Sequence, residues 1–140
     1  MHSALSTLSL VLLLAAAVRP ELSPDGTCGQ AKAGNNKEYT CPSDEKCCSP
    51  SGYCGSTDEH CLKSVGCQDK FSNSTTACVN PVNGTTVSPD GTCGNEGVGE
   101  FGYRCPEAGD ICCSIAGYYG NTTAHCLATN GCQSAYGICQ

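Results

Sequence analysis

Hydrophobic positions fall into two regimes along this chain. Residues 4–17, ALSTLSLVLLLAAA, form one apolar run that ends in the small triplet Ala15-Ala16-Ala17. This pattern predicts a secretory signal peptide over residues 1–17, cut after Ala17. The run is shorter than the roughly 20 apolar residues a membrane-spanning helix needs. From Val18 onward no apolar set recurs at a helical period. Gly, Pro, Ser and Asn interrupt the sequence about every ten residues. Such patterning predicts short antiparallel strand pairs, one helical turn near residues 57–61, and otherwise loop.

Segments this short and polar bury too little to fold by the hydrophobic effect alone. Composition supplies the alternative. Fifteen cysteines all follow residue 17, making about 12% of the remaining chain, above the roughly 8–10% that marks a disulfide scaffold. Together with the export signal they predict cross-links rather than metal ligands or redox catalysts. Sequons at Asn73, Asn83 and Asn121 fit passage through a glycosylating route. The formal charge is −6, with seven basic residues and no basic cluster. Neither a nucleic acid nor a membrane surface is therefore an expected partner. An uncharged or weakly charged ligand is, and no cofactor is implied.

The chain also repeats itself. SPDGTCG at residues 23–29 returns unchanged at 88–94, and GCQ at 66–68 returns at 131–133. CCSPSGYCGSTDEHC, residues 47–61, aligns without a gap on CCSIAGYYGNTTAHC, residues 112–126, with Tyr119 where the first copy has Cys54. These matches predict two tandem modules, 23–78 and 88–139, joined by the linker 79–87. If flexible, a nine-residue linker would span about 15–18 Å r.m.s..

Cysteine spacing in the first module is C-x12-C-x5-CC-x5-C-x6-C-x5-C-x10-C, which by itself leaves 105 pairings open. The vicinal pair followed by S-x-x-G-Y-C-G-S-T-D-E-H-C resembles the hevein-like chitin-binding module. The SPDGTCG and GCQ flanks resemble its fungal-type form, carbohydrate-binding module family 18. This resemblance implies a small disulfide-rich fold of two knottin-type modules. It further implies the bridges Cys28–Cys48, Cys41–Cys54, Cys47–Cys61 and Cys67–Cys78, then Cys93–Cys113, Cys112–Cys126 and Cys132–Cys139. Cys105 is left without its partner, because the counterpart position is Tyr119. An inert buried thiol, a mixed disulfide and a bridge to a second copy are its three readings.

Carried over position by position, the family's sugar site implies Ser49 as the hydroxyl and Tyr53 as the stacking aromatic. Ser51 falls on a second aromatic position, where it cannot stack, and His60 falls on a third. Ser114, Tyr118 and His125 are the second-module equivalents, with Ala116 matching Ser51. The chemistry is consistent, since N-acetylglucosamine has a C–H-rich face suited to an exposed ring and an acetamide suited to a hydroxyl. Neighbours in an extended segment point oppositely, so Tyr119 is expected to face inward and fill the place of the absent cystine. Tyr39, Phe71, Tyr103 and Tyr136 are expected to pack against cystines.

Other chemistries are weaker. His60 and His125 each precede a Cys, but no C-x2-C ligand pair accompanies them, so no metal site is expected. Asp58 and Glu59 are adjacent, a poor geometry for acid–base work across a glycosidic bond, and the second copy has Thr123 and Ala124 there. No catalytic residue is assigned. The expectation is a secreted, extracellular or wall-associated, non-catalytic lectin for chitin and N-acetylglucosamine oligomers, shielding a fungal wall or sequestering oligomers. Two competing readings are a cysteine-rich inhibitor acting on a protein target and a wall protein dimerised through Cys105.

Overall fold

The computed structural model describes residues 20–109 and 111–140; the signal peptide expected over residues 1–17 lies outside them. Regular structure is sparse. Strands β1 (Cys47–Cys48) and β2 (Cys54–Gly55) pair antiparallel, with Cys48 opposite Cys54, and helix α1 (Asp58–Cys61) follows. Further along, β3 (Cys112–Cys113) pairs with β4 (Tyr119–Gly120), with Cys113 opposite Tyr119, before helix α2 (Thr123–Cys126). Short 3-10 turns at Lys32–Gly34, Lys63–Val65, Asp69–Phe71 and Ala128–Asn130 complete the set. Among the described residues no helix is long and apolar enough to cross a membrane.

Two-residue strands cannot hold a fold through their own ladders, and sulfur does so here. Bridges join Cys28–Cys48, Cys41–Cys54, Cys47–Cys61 and Cys67–Cys78 in the first half. In the second half they join Cys93–Cys113, Cys112–Cys126 and Cys132–Cys139. Each bridge closing a loop of this length contributes about 2–4 kcal/mol. Cys28, Cys41, Cys48 and Cys54 pack with Phe71 as one buried cluster, and Cys47 and Cys61 with Ala77 as another. A third cluster holds Cys93, Cys105 and Cys113, flanked by Ile111, Tyr119 and Tyr136. Tyr119 thus sits beside the sulfur whose counterpart in the first half is bridged.

The repeated motifs have identifiable jobs. In SPDGT the Asp25 carboxylate accepts from Thr27 Oγ1 at 2.6 Å and Thr27 N at 3.0 Å. Those bonds, helped by the Lys37 ammonium, hold its pKa down at about 2. The turn then lays Cys28 N on Gly52 O at 2.8 Å and Cys54 N on Gly26 O at 2.8 Å, so the motif acts as an extra strand beside Tyr53. Asp90 and Thr92 repeat the turn, which lays Cys93 N on Gly117 O. In GCQ, Gln68 N donates to Cys48 O and Gln68 Nε2 to Ser49 O at 2.6 Å; Gln133 does the same to Cys113 O and Ser114 O. Gly52, at φ +84°, approaches Gly34 N so closely that a Cβ would lie 2.6 Å from it, which no side chain permits.

Segment 79–87 is not a free tether. Lys63 N donates to Val79 O, Val79 N to Cys61 O, Gly84 N to Gly102 O and Arg104 N to Thr86 O, each at 2.8 Å. Asn83 Oδ1 accepts from Tyr136 at 3.0 Å while its Nδ2 donates to Asn95. Backbone groups on both sides thus bond to this segment. Tyr103 also departs from its expected role. It is 1% exposed, its ring lies 5.5 Å from Phe101, and its hydroxyl meets Ser64 of the first half. It fastens the junction rather than a cystine. Tyr39 lies half-buried under the Lys37 ammonium, 5.6 Å away.

Cys105 is free and 4% exposed. Burial pushes its pKa from about 9 up to about 11, against a small opposing effect of Arg104. A thiol with a raised folded-state pKa favours the fold fully below its ordinary value, and that contribution disappears as pH rises toward 11. Native protein should therefore resist alkylation by iodoacetamide at pH 8 and take up one label only after unfolding. Stability should fall between pH 9 and 11 in the wild type, and less steeply in Cys105→Ala. Quantitative labelling of the native protein at pH 8 would contradict the burial.

Candidate functional site

A shallow cleft of about 360 Å³ lies on the first half, lined by Ser49, Pro50, Ser51, Tyr53, Glu59 and His60. Four of these, Ser49, Ser51, Tyr53 and His60, are the sequence-derived candidates. Tyr53 is 53% exposed although it stands between two bridged cysteines. Its backbone is fixed on both sides, by Ser49 N donating to Tyr53 O at 2.9 Å and by an antiparallel bridge to Thr27. An open ring on a rigid backbone loses little entropy when a flat apolar partner covers it.

Ser49 has two tasks. Its Oγ accepts from Tyr53 N at 3.2 Å, which locks the turn that presents the ring. Ser49 is 6% exposed, and among the described residues its Oγ donates to none. Ser51 is exposed and offers a hydroxyl but no stacking surface.

His60 is held from two directions. Thr57 Oγ1 lies 2.8 Å from its Nδ1, and its ring lies on Gly55, where a Cβ would be 2.6 Å from the ring atoms. Thr57 occupies the N-cap of α1 yet makes no capping bond to the backbone, because its hydroxyl serves the histidine instead. Pro50 and Glu59 also line the cleft, and sequence reasoning does not assign them. Pro50 carries no chemical signal, and in the sequence Glu59 stands out only as an acid beside Asp58.

The second half repeats the arrangement. Tyr118 is 50% exposed and is bridged to Thr92. Thr122 Oγ1 lies 2.7 Å from His125 Nδ1, and that ring lies on Gly120. Ser114 differs in its hydrogen bonds. Its Oγ donates to Tyr118 O at 3.0 Å as well as accepting from Tyr118 N at 3.3 Å, so its proton is already used within the turn. Ile115 and Ala116 replace Pro50 and Ser51, and Ala124 replaces Glu59. Asn121 is exposed three residues beyond Tyr118.

The cysteine after each histidine, Cys61 or Cys126, is bridged. An exposed ring and a hydroxyl on one rigid turn, beside an imidazole fixed on α1, suit a neutral polyhydroxylated ligand. Residues 27–78 match the family described as chitin recognition protein. A protein of Gibberella moniliformis named "Non-secreted LysM effector LCP1" is 41% identical over 128 residues, which cover 89% of this chain. The chain spans only 15% of that protein's length.

Proposed function

We propose that the protein is a non-catalytic lectin of two tandem hevein-like modules, 23–78 and 88–139, that binds chitin and N-acetylglucosamine oligomers. The carrying observation is Tyr53, half-exposed on a disulfide-fixed turn beside Ser49 and His60, within the segment that matches the chitin-recognition family. The sugar's apolar face covers Tyr53, Ser49 donates to the acetamide carbonyl, and His60 and Ser51 bond hydroxyls. Tyr118, Ser114 and His125 form the second, weaker site, because Ser114 has committed its proton. The similarity to a protein named an effector supports a role in sequestering oligomers or covering a wall.

Compartment follows from sulfur. Seven bridges support passage through an oxidising compartment. The Gibberella protein is named non-secreted, so culture-fluid and wall fractions of the producing cell should be assayed side by side. The binding reading is tested by incubating the protein with chitin beads and titrating it calorimetrically with chitotetraose. Retention on beads and a measurable heat are expected. No retention and no heat would overturn the lectin and favour an inhibitor of a protein target.

A further inference from the structure

A second cleft, of about 230 Å³, adjoins the Tyr53 cleft and is lined by Thr57, Asp58, Glu59, Val87, Ser88 and Pro89. Glu59 lines both, so the two are separated by no more than one side chain. Thr57 lines this second cleft while its hydroxyl holds His60 in the first. One wall is therefore α1 and its N-cap. The other comes from the junction with the second half.

We propose that this cleft is an additional sugar subsite, which receives a further N-acetylglucosamine unit of an oligomer already seated on Tyr53. The inference rests on the sugar reading of the Tyr53 cleft and extends it. Three observations carry it: contiguity through Glu59, room for a sugar ring, and a lining that suits one. The carboxylates of Asp58 and Glu59 accept hydrogen bonds from sugar hydroxyls, and Val87 and Pro89 offer apolar surface to C–H groups.

The far wall is held in place by the second half. Val87 forms a parallel bridge with Arg104, and Ser88 N donates to Arg104 O at 2.9 Å. Ser88 Oγ accepts from Gly91 N at 3.1 Å. Tyr103, the neighbour of Arg104, meets Ser64 just beyond α1. The first site thus depends on the second half for its preference among oligomer lengths, even where the second half binds nothing itself. Thr123 and Ala124 stand where Asp58 and Glu59 do, so this lining is not repeated at Tyr118.

The experiment is an NMR titration of the protein with chitobiose and with chitotetraose, read at backbone amides of each half. Both sugars should shift the amides around Tyr53. Only the tetramer should shift Val87 and Ser88. Val87→Phe fills the cleft without touching Ser49, Tyr53 or His60, and should weaken tetramer binding roughly five- to tenfold, as expected for loss of one or two hydrogen bonds. Its affinity for chitobiose should not change, which also shows that it folds. If Val87→Phe loses chitobiose binding too, Asp58→Ala replaces it, with the same selective loss expected. Tetramer shifts confined to the Tyr53 cleft, or an unchanged length preference in the variant that binds chitobiose, would overturn the subsite while leaving the lectin intact. Silence of every amide toward both sugars would overturn both.

Discussion

Tyr53→Ala should lower the affinity of the first half for chitotriose by roughly 30-fold or more, the effect of truncating an aromatic anchor worth about 2 kcal/mol. Little else should change. At 53% exposure the ring contributes little to the core, and the backbone bonds that fix residue 53 use only its N and O. Thermal unfolding of the variant should therefore overlay that of the wild type, and its bridges should map identically. Tyr53→Phe should retain most binding, because the ring face and not the hydroxyl carries the contact. Tyr118→Ala should remove a smaller share of total binding, since Ser114 has already given its proton to Tyr118 O. Calorimetry separates the cases: a Tyr53→Ala protein that binds as tightly as the wild type at two sites would show that the exposed rings are not the sugar platform.

The second large effect concerns stability. Tyr119→Cys should create an eighth bridge, between the introduced thiol and Cys105, and stabilise the second half. The positions correspond closely: Tyr119 pairs with Cys113 as Cys54 pairs with Cys48, and Cys54 is bridged to Cys41 over a separation of 13 residues. Closing a loop of this size contributes about 3 kcal/mol. Loss of the Tyr119 ring from the cluster around Cys93, Cys105 and Cys113 offsets part of that gain, leaving about 1–2 kcal/mol net. Denaturant unfolding measures it, and titration of the unfolded chain should find no free thiol. Adding Cys105→Ala to Tyr119→Cys should abolish the gain. A double variant as stable as Tyr119→Cys alone would show that the bridge does not form.

Much of this architecture was legible because it is written in residues with few conformational options. A cysteine must find a sulfur, SPDGT closes a turn through its own aspartate, and the repeat of both at a fixed period marks equivalent positions. Tyr53 and His60 were legible through their motif. What stayed hidden depends on contacts between distant segments. Two-residue strands have no period to read. Gln68 and Gln133 act as clamps only because the GCQ segments come to lie on Cys48 and Cys113. Glu59 gains its place as a shared wall only once residues 87–89 come to lie opposite α1. Tyr39 and Tyr103 precede a cysteine alike, yet only Tyr103 faces another half of the molecule.

Segment 79–87 changes how two sites can act together on a polymer. A loose tether lets a second site search a volume, and its benefit falls off smoothly with tether length. Here the segment is bonded along both flanks, and Asn83 is held between Tyr136 and Asn95. Under the proposed function, Tyr53 and Tyr118 are then two teeth of one gauge, at a spacing set before any sugar arrives. On that reading a polymer that engages both rings would do so with the entropy of aligning them already lost. An oligomer that engages only one ring would gain nothing from that fixed spacing.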